Sequence, residues 1–103
     1  MDTSSIRVII FKEGGKWVAQ CLEYDIGAQA DELDDLKQRL VCAVEAELRA
    51  SLKANGKPFD GIAAAPDYFR KMWDRRSVVV GFVGKTRLEA DSKTVELDLA
   101  MAA

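Results

Sequence analysis

Residues 31–54 read DELDDLKQRLVCAVEAELRASLKA, and the fold turns on this stretch. Leu33, Leu36, Leu40, Val44, Leu48 and Leu52 recur in steps of three and four, and Val41 and Ala43 widen the stripe. That is the period of a helix laying one face on a sheet. Lys37, Arg39, Glu45, Glu47 and Arg49 fall on its other sides. Asp31 is read as the N-cap, and Glu32, Asp34 and Asp35 put negative charge in the first turn, where the helix dipole favours it. Arg49 and Lys53 suit the other end of the dipole. Asn55-Gly56 offers a left-handed stop and Pro58 forbids continuation, so the spacing predicts an end within a residue or two of Ala54.

Upstream, the stretch from Ile6 to Lys12 is rich in β-branched residues, with Ile6, Val8 and Ile10 on one face and Arg7, Ile9 and Phe11 on the other. Gly14-Gly15 supplies the positive φ of a tight hairpin, and a second strand resumes from Lys16 to Leu22. Glu23-Tyr-Asp25 breaks that run, and Gly27-Ala-Gln-Ala30 reads as a brief third strand. Downstream, the segment from Pro58 to Pro66 is a linker anchored by Phe59 and Ile62. Pro66 suits the first turn of a second, short helix, with Tyr68, Phe69, Met72 and Trp73 forming its apolar face. Residues from Ser77 to Val83 read as a strand weakened by Gly81, and Thr94 to Ala100 alternates as a closing strand. The expected architecture is a single α+β domain over residues 1–103. It comprises a three-stranded antiparallel sheet, a long helix, a short second helix and a closing strand.

The chain has 103 residues, 49% of them hydrophobic, enough for one core. Its 15 basic and 17 acidic residues leave a net charge of -2, too near zero for the broad field of a nucleic-acid binder. There is no signal-like leader and no membrane-spanning apolar run, so a cytoplasmic protein is expected. Cys21 and Cys42 lack CxxC spacing, and both are read as reduced, buried thiols. The absence of histidine removes histidine-based acid–base pairs, triads and metal sites, and no phosphate-binding glycine loop is present. No cofactor is expected.

Three groups of residues remain as candidates. Glu23 and Asp25 place two carboxylates close together, and with Asp31 or Asp34 they could hold a divalent metal for hydrolysis. The simpler reading makes them strand-end and helix-start residues. Arg70, Lys71, Arg75 and Arg76 form a basic patch beside aromatic side chains, a pattern that suits phosphates and stacked bases. The more ordinary reading is a short helix with its aromatics inward and its charges in solvent. Trp17, together with Glu23, Tyr24 and Asp25, is a candidate interface, because tryptophan often anchors one.

From Trp17 to Lys37 the chain resembles the N-terminal domain of HicB-type antitoxins and their HicB-like relatives, and the resemblance extends over residues 6–54. The features that carry it are a tryptophan early in the second strand, the Leu22-Glu-Tyr-Asp25 strand end, and a helix capped by an aspartate, although Glu32-Leu-Asp-Asp35 departs from the family's usual helix entry. Ala30 stands where that family has glycine, and residues 57–103 carry neither a helix-turn-helix nor a ribbon-helix-helix segment. The resemblance implies a reduced ribonuclease H sheet of β-β-β-α-β order. Nuclease activity is not implied, since Arg7 is the only charged residue between Ile6 and Phe11. It implies a non-catalytic protein-interaction domain, an antitoxin-like or orphan regulatory module whose partner is a small basic toxin-like protein. Separately, an exposed sheet edge or the Trp17 face needs cover, so self-association into a dimer or higher homo-oligomer is expected. Direct DNA binding is not expected. The alternatives are a regulator that binds a small molecule or nucleic acid between Phe59, Ile62 and the aromatic helix, and the metal-dependent hydrolase.

Overall fold

The computed structural model describes residues 2–77 and 84–102 of an α+β domain. In chain order its elements are β1 (Asp2–Glu13), β2 (Lys16–Cys21), β3 (Gly27–Ala30), α1 (Leu33–Asn55), α2 (Asp67–Asp74), β4 (Arg76–Ser77), β5 (Gly84–Ala90) and β6 (Lys93–Ala102). The sheet runs β3-β2-β1-β6-β4, with β5 also paired to β6. β4 pairs Met101 and Ala102 while β5 pairs residues 93–99, both on the side of β6 away from β1, so the sheet is five strands wide.

The first three strands are antiparallel as the sequence predicts, and β3 has the expected bounds. The sheet as a whole is mixed, however. β6 runs parallel to β1, from Asp2 opposite Lys93 to Ile10 opposite Met101. β1 accordingly starts at Asp2, because Thr3, Ser4 and Ser5 pair with β6 ahead of the apolar residues that mark the strand in the sequence. β5 is an element that the sequence reading leaves unassigned. Of the strand read from Ser77 to Val83, only Ser77 is seen, at the end of β4; residues 78–83 lie outside the described residues.

Alternation along β1 gives the sheet two different faces. On one, Leu36, Leu40, Val44 and Leu48 of α1 are buried against Ile6, Val8, Ile10, Ala19, Cys21, Val95 and Leu97. Each leucine, isoleucine and valine among them contributes about 1.5–3 kcal/mol by leaving water. Phe59 completes this core at 1% exposure, its backbone N–H donating to Ser51 Oγ (2.8 Å), which itself donates to the Leu48 carbonyl (2.9 Å). Gly56 takes the predicted left-handed stop at φ 71°, and its N–H donates to the Leu52 carbonyl. The start of α1 differs from expectation. Glu32 is the N-cap, extended and without a side-chain cap, because the Asp31 carboxylate accepts from Lys16 Nζ at 2.8 Å. That lysine holds the Asp31 carboxyl below its usual range. Pro66 likewise sits one residue earlier than read, as the N-cap of α2.

The other face carries Arg7, Ile9 and Phe11 on β1, with α2 lying across this end of the sheet. Phe69 stacks on Phe11 with ring centroids 6.1 Å apart. Further across, Arg87 and Lys85 of β5 meet Glu96 of β6 at 3.1 and 3.3 Å, and together they hold its carboxyl below the ordinary value. At the opposite edge, Arg39 of α1 donates to the Gln29 carbonyl of β3 at 3.0 Å.

Two tight turns behave differently. Gly14 and Gly15 join β1 to β2 at φ 58° and 80°, conformations glycine adopts freely. Asp91 and Ser92 join β5 to β6 at φ 50° and 65°, the left-handed pair that a two-residue hairpin requires but that side chains oppose. Replacing Ser92 by glycine should stabilise the fold by about 0.5–1 kcal/mol, raising Tm by roughly 2–6 °C in thermal unfolding. An unchanged or lower Tm would contradict the turn geometry.

The two thiols also part company. Cys21 is buried under α1 and burial pushes its thiol up to about 12, but Cys42 is exposed, contrary to the sequence reading. Two residues of helix turn a side chain by roughly 200°, so inward Leu40 puts Cys42 outward. Native protein at mildly alkaline pH should therefore react with one equivalent of a chromogenic disulfide reagent, at Cys42. The second equivalent should react only in denaturant; two fast equivalents would be incompatible with this core.

Candidate binding groove

Pairing between β1 and β6 stops at Ile10 and Met101, while β1 runs on to Glu13 against β2 alone. Beside this end of β1 lies a groove of about 550 Å³ lined by Phe11, Lys12, Glu13, Trp17, Tyr68, Met72, Met101 and Ala102. Trp17 forms part of its wall, half-buried, with Lys12 Nζ 5.2 Å from its ring centre. α2 forms another part, and none of its residues is buried. Tyr68, 62% exposed, is the one large apolar side chain among the described residues that stands clear of the protein, with its ring edge-on to Phe69 at 5.2 Å.

The other candidate interface residues lie at the far end of β2 from Trp17 and do not join it in one patch. Glu23 is engaged internally: its carboxylate accepts from the Arg7 backbone N–H and from Arg7 Nε, both at 2.6 Å. Asp25 accepts from Gln20 Nε2 at 2.9 Å, and that amide also donates to the Cys21 carbonyl at 3.2 Å. Gln20 fits there because Gly27 opposite has no side chain; a Cβ would come within 3.0 Å of Gln20 Oε1. Tyr24 stacks on Phe59 with ring centroids 4.6 Å apart, and so closes the core. Asp31 is held by Lys16, and among the described residues no group of three or more acids and cysteines converges as a metal site.

Arg7 links the acidic residue to the aromatic helix. Besides holding Glu23, its guanidinium lies 5.9 Å from the Trp73 ring centre, and Arg76 lies 4.6 Å from the same ring. The basic patch is largely occupied with closing α2. Arg76 Nη1 donates to the Trp73 carbonyl at 3.0 Å and Arg75 Nε to the Lys71 carbonyl at 3.4 Å, satisfying carbonyls that a helix end leaves open. Arg70 is 3.9 Å from Asp67, and Lys71 remains in solvent. The site read between Phe59, Ile62 and the aromatic helix is not assembled. Phe59 belongs to the core under α1, whereas Phe69 and Trp73 meet Phe11 and Arg7 on the opposite face.

Sequence reasoning thus finds Trp17 and the aromatic helix but not the groove between them. Phe11 and Met101 reach it through the parallel pairing of β1 with β6, a register no local pattern announces. Among the described residues no helix is long and apolar enough to cross a membrane. Residues 57–77 and 84–102 hold α2 and three strands.

Replacing Glu23 by glutamine removes a charge-assisted pair from a half-exposed site, and should cost about 1 kcal/mol. In a Trp17→Phe background it should also shift Trp73 emission to the red, because Arg7 is released. Unchanged melting and emission would show that Glu23 does not hold α2 in place. The chain matches no family model, no curated protein and no solved structure.

Proposed function

We propose that this chain is a non-catalytic, HicB-like protein-interaction domain of the cytoplasm, an antitoxin-like or orphan regulatory module that works by binding through the groove at the end of β1. The observation that carries this reading is an amphipathic helix with no buried residue beside a groove that mixes Phe11, Trp17, Met72 and Met101 with the charged Lys12 and Glu13. Tyrosine and tryptophan beside a hollow are the side chains that interfaces favour as anchors. The internal use of Glu23, Asp25 and Asp31 supports the non-catalytic half, since each carboxylate already has a partner. The β-β-β-α order of residues 2–55 fits the HicB-like resemblance.

The partner is a small basic toxin-like protein or another copy of the chain. Capture from the native host, followed by calorimetry with the purified captured protein, tests the reading. Tyr68→Ala should weaken binding by about tenfold or more, as for an interface anchor. Equal affinity of the variant would remove the groove from the interface. Titration with magnesium or manganese at millimolar concentration should give no binding heat; saturable heat together with phosphoester cleavage would favour the hydrolase instead.

A further inference from the structure

Asn55 is the chain's one asparagine, and the residue after it is Gly56. Asparagine side chains are thermolabile, and a glycine in the next position leaves the following backbone nitrogen without a Cβ to shield it. Both residues are exposed, and a Cβ at Gly56 would meet nothing within 4 Å, so the approach to that nitrogen is open. In the intact helix the nitrogen is engaged, its N–H donating to the Leu52 carbonyl at 2.9 Å. Attack on the Asn55 side chain needs this bond to open and Asn55 to leave its helical angles. The turn that the bond closes is held by little else. Lys53, Ala54 and Asn55 are all exposed, whereas Ser51 and Phe59 are buried and joined by the Phe59 N–H on Ser51 Oγ at 2.8 Å. That clip fastens the chain on both sides of residues 52–58. The last turn of α1 can therefore open without uncovering the core, the low-cost fraying expected of a helix end.

We propose that Asn55 is a site of spontaneous deamidation, set off by opening of the last turn of α1. The Gly56 nitrogen gives up its proton and attacks Asn55 Cγ. A bond forms between the two, the bond from Cγ to Nδ2 breaks, and Nδ2 leaves with that proton as ammonia. Water then opens the cyclic imide at either carbonyl, giving aspartate or isoaspartate, with no oxidant or cofactor. Either product places a carboxylate at the C-terminal end of the helix, where the dipole disfavours it. Isoaspartate also routes the main chain through the former side chain, and the added methylene displaces the Gly56 N–H from the Leu52 carbonyl. The chemistry holds whether or not the chain is an interaction domain.

Incubation of the full chain at mildly alkaline pH, folded and in denaturant, tests the proposal by intact mass and peptide mapping. With a single asparagine, the mass change from amide to acid reports on position 55, and mapping separates it from isoaspartate formed at Asp60-Gly61, which leaves the mass unchanged. The folded chain should convert more slowly than the denatured one, but by less than about a hundredfold, as for opening of a helix end. Isoaspartate should appear at position 55, and Asn55→Gln should hold its mass over the same period. A folded chain that stays unconverted, or is slowed by about 10³-fold or more as global unfolding would require, overturns the local opening. Aspartate at position 55 with no isoaspartate overturns the ring-forming step. An equal mass gain in Asn55→Gln overturns the assignment to Asn55.

Discussion

The parallel pairing of β1 with β6 is the interaction on which the rest of the molecule depends. It joins the first and last strands along nine residue pairs and puts β6 in the interior of the sheet. Val95, Leu97 and Leu99 thereby extend the floor laid by Ile6, Val8 and Ile10, and α1 needs that full width to bury its stripe. Where the pairing stops, the groove begins. One register accordingly sets both the depth of the core and the position of the candidate binding surface.

Arg7 shows how the two faces of β1 are tied together. Its neighbours Ile6 and Val8 point into the core, so strand alternation sends its side chain to the face crossed by α2. There it holds the Glu23 carboxylate and lies near the Trp73 ring. An acidic residue that reads in the sequence as a metal ligand thus helps to hold a helix. The basic residues that read as a phosphate patch mostly finish that helix. In both cases long-range geometry gives a local cluster of charge a structural role.

Features written in local chemistry were legible in advance. The Leu36 to Leu48 stripe, the Gly14-Gly15 turn, the Gly56 stop and the aromatic face of α2 each declare themselves through period or backbone freedom. The features that escaped depend on partners far away in the chain. Thr3, Ser4 and Ser5 carry no apolar signal, and become strand only by pairing with β6. β5 ends in Asp91-Ser92, a turn without the glycine that would have announced it, and its outward Lys85, Arg87 and Glu89 dilute a pattern resting on Leu88 and Ala90. Asp31 was misread as a cap because its real partner, Lys16, sits across the sheet edge. Of the candidate site, the individual aromatics were visible and their assembly was not.

The contact between Arg39 and the Gln29 carbonyl bears on the exposed edge of the sheet. β3 is a terminal strand of four residues, Gly27-Ala-Gln-Ala30, with no charge of its own and nothing bulky to obstruct a stacking neighbour. Bare strands of this kind template cross-β growth. A guanidinium bound to one of its carbonyls puts a hydrated positive charge in the path of an incoming strand and withholds an acceptor that a fibril would need. The same helix that roofs the core therefore also obstructs strand addition at the β3 edge.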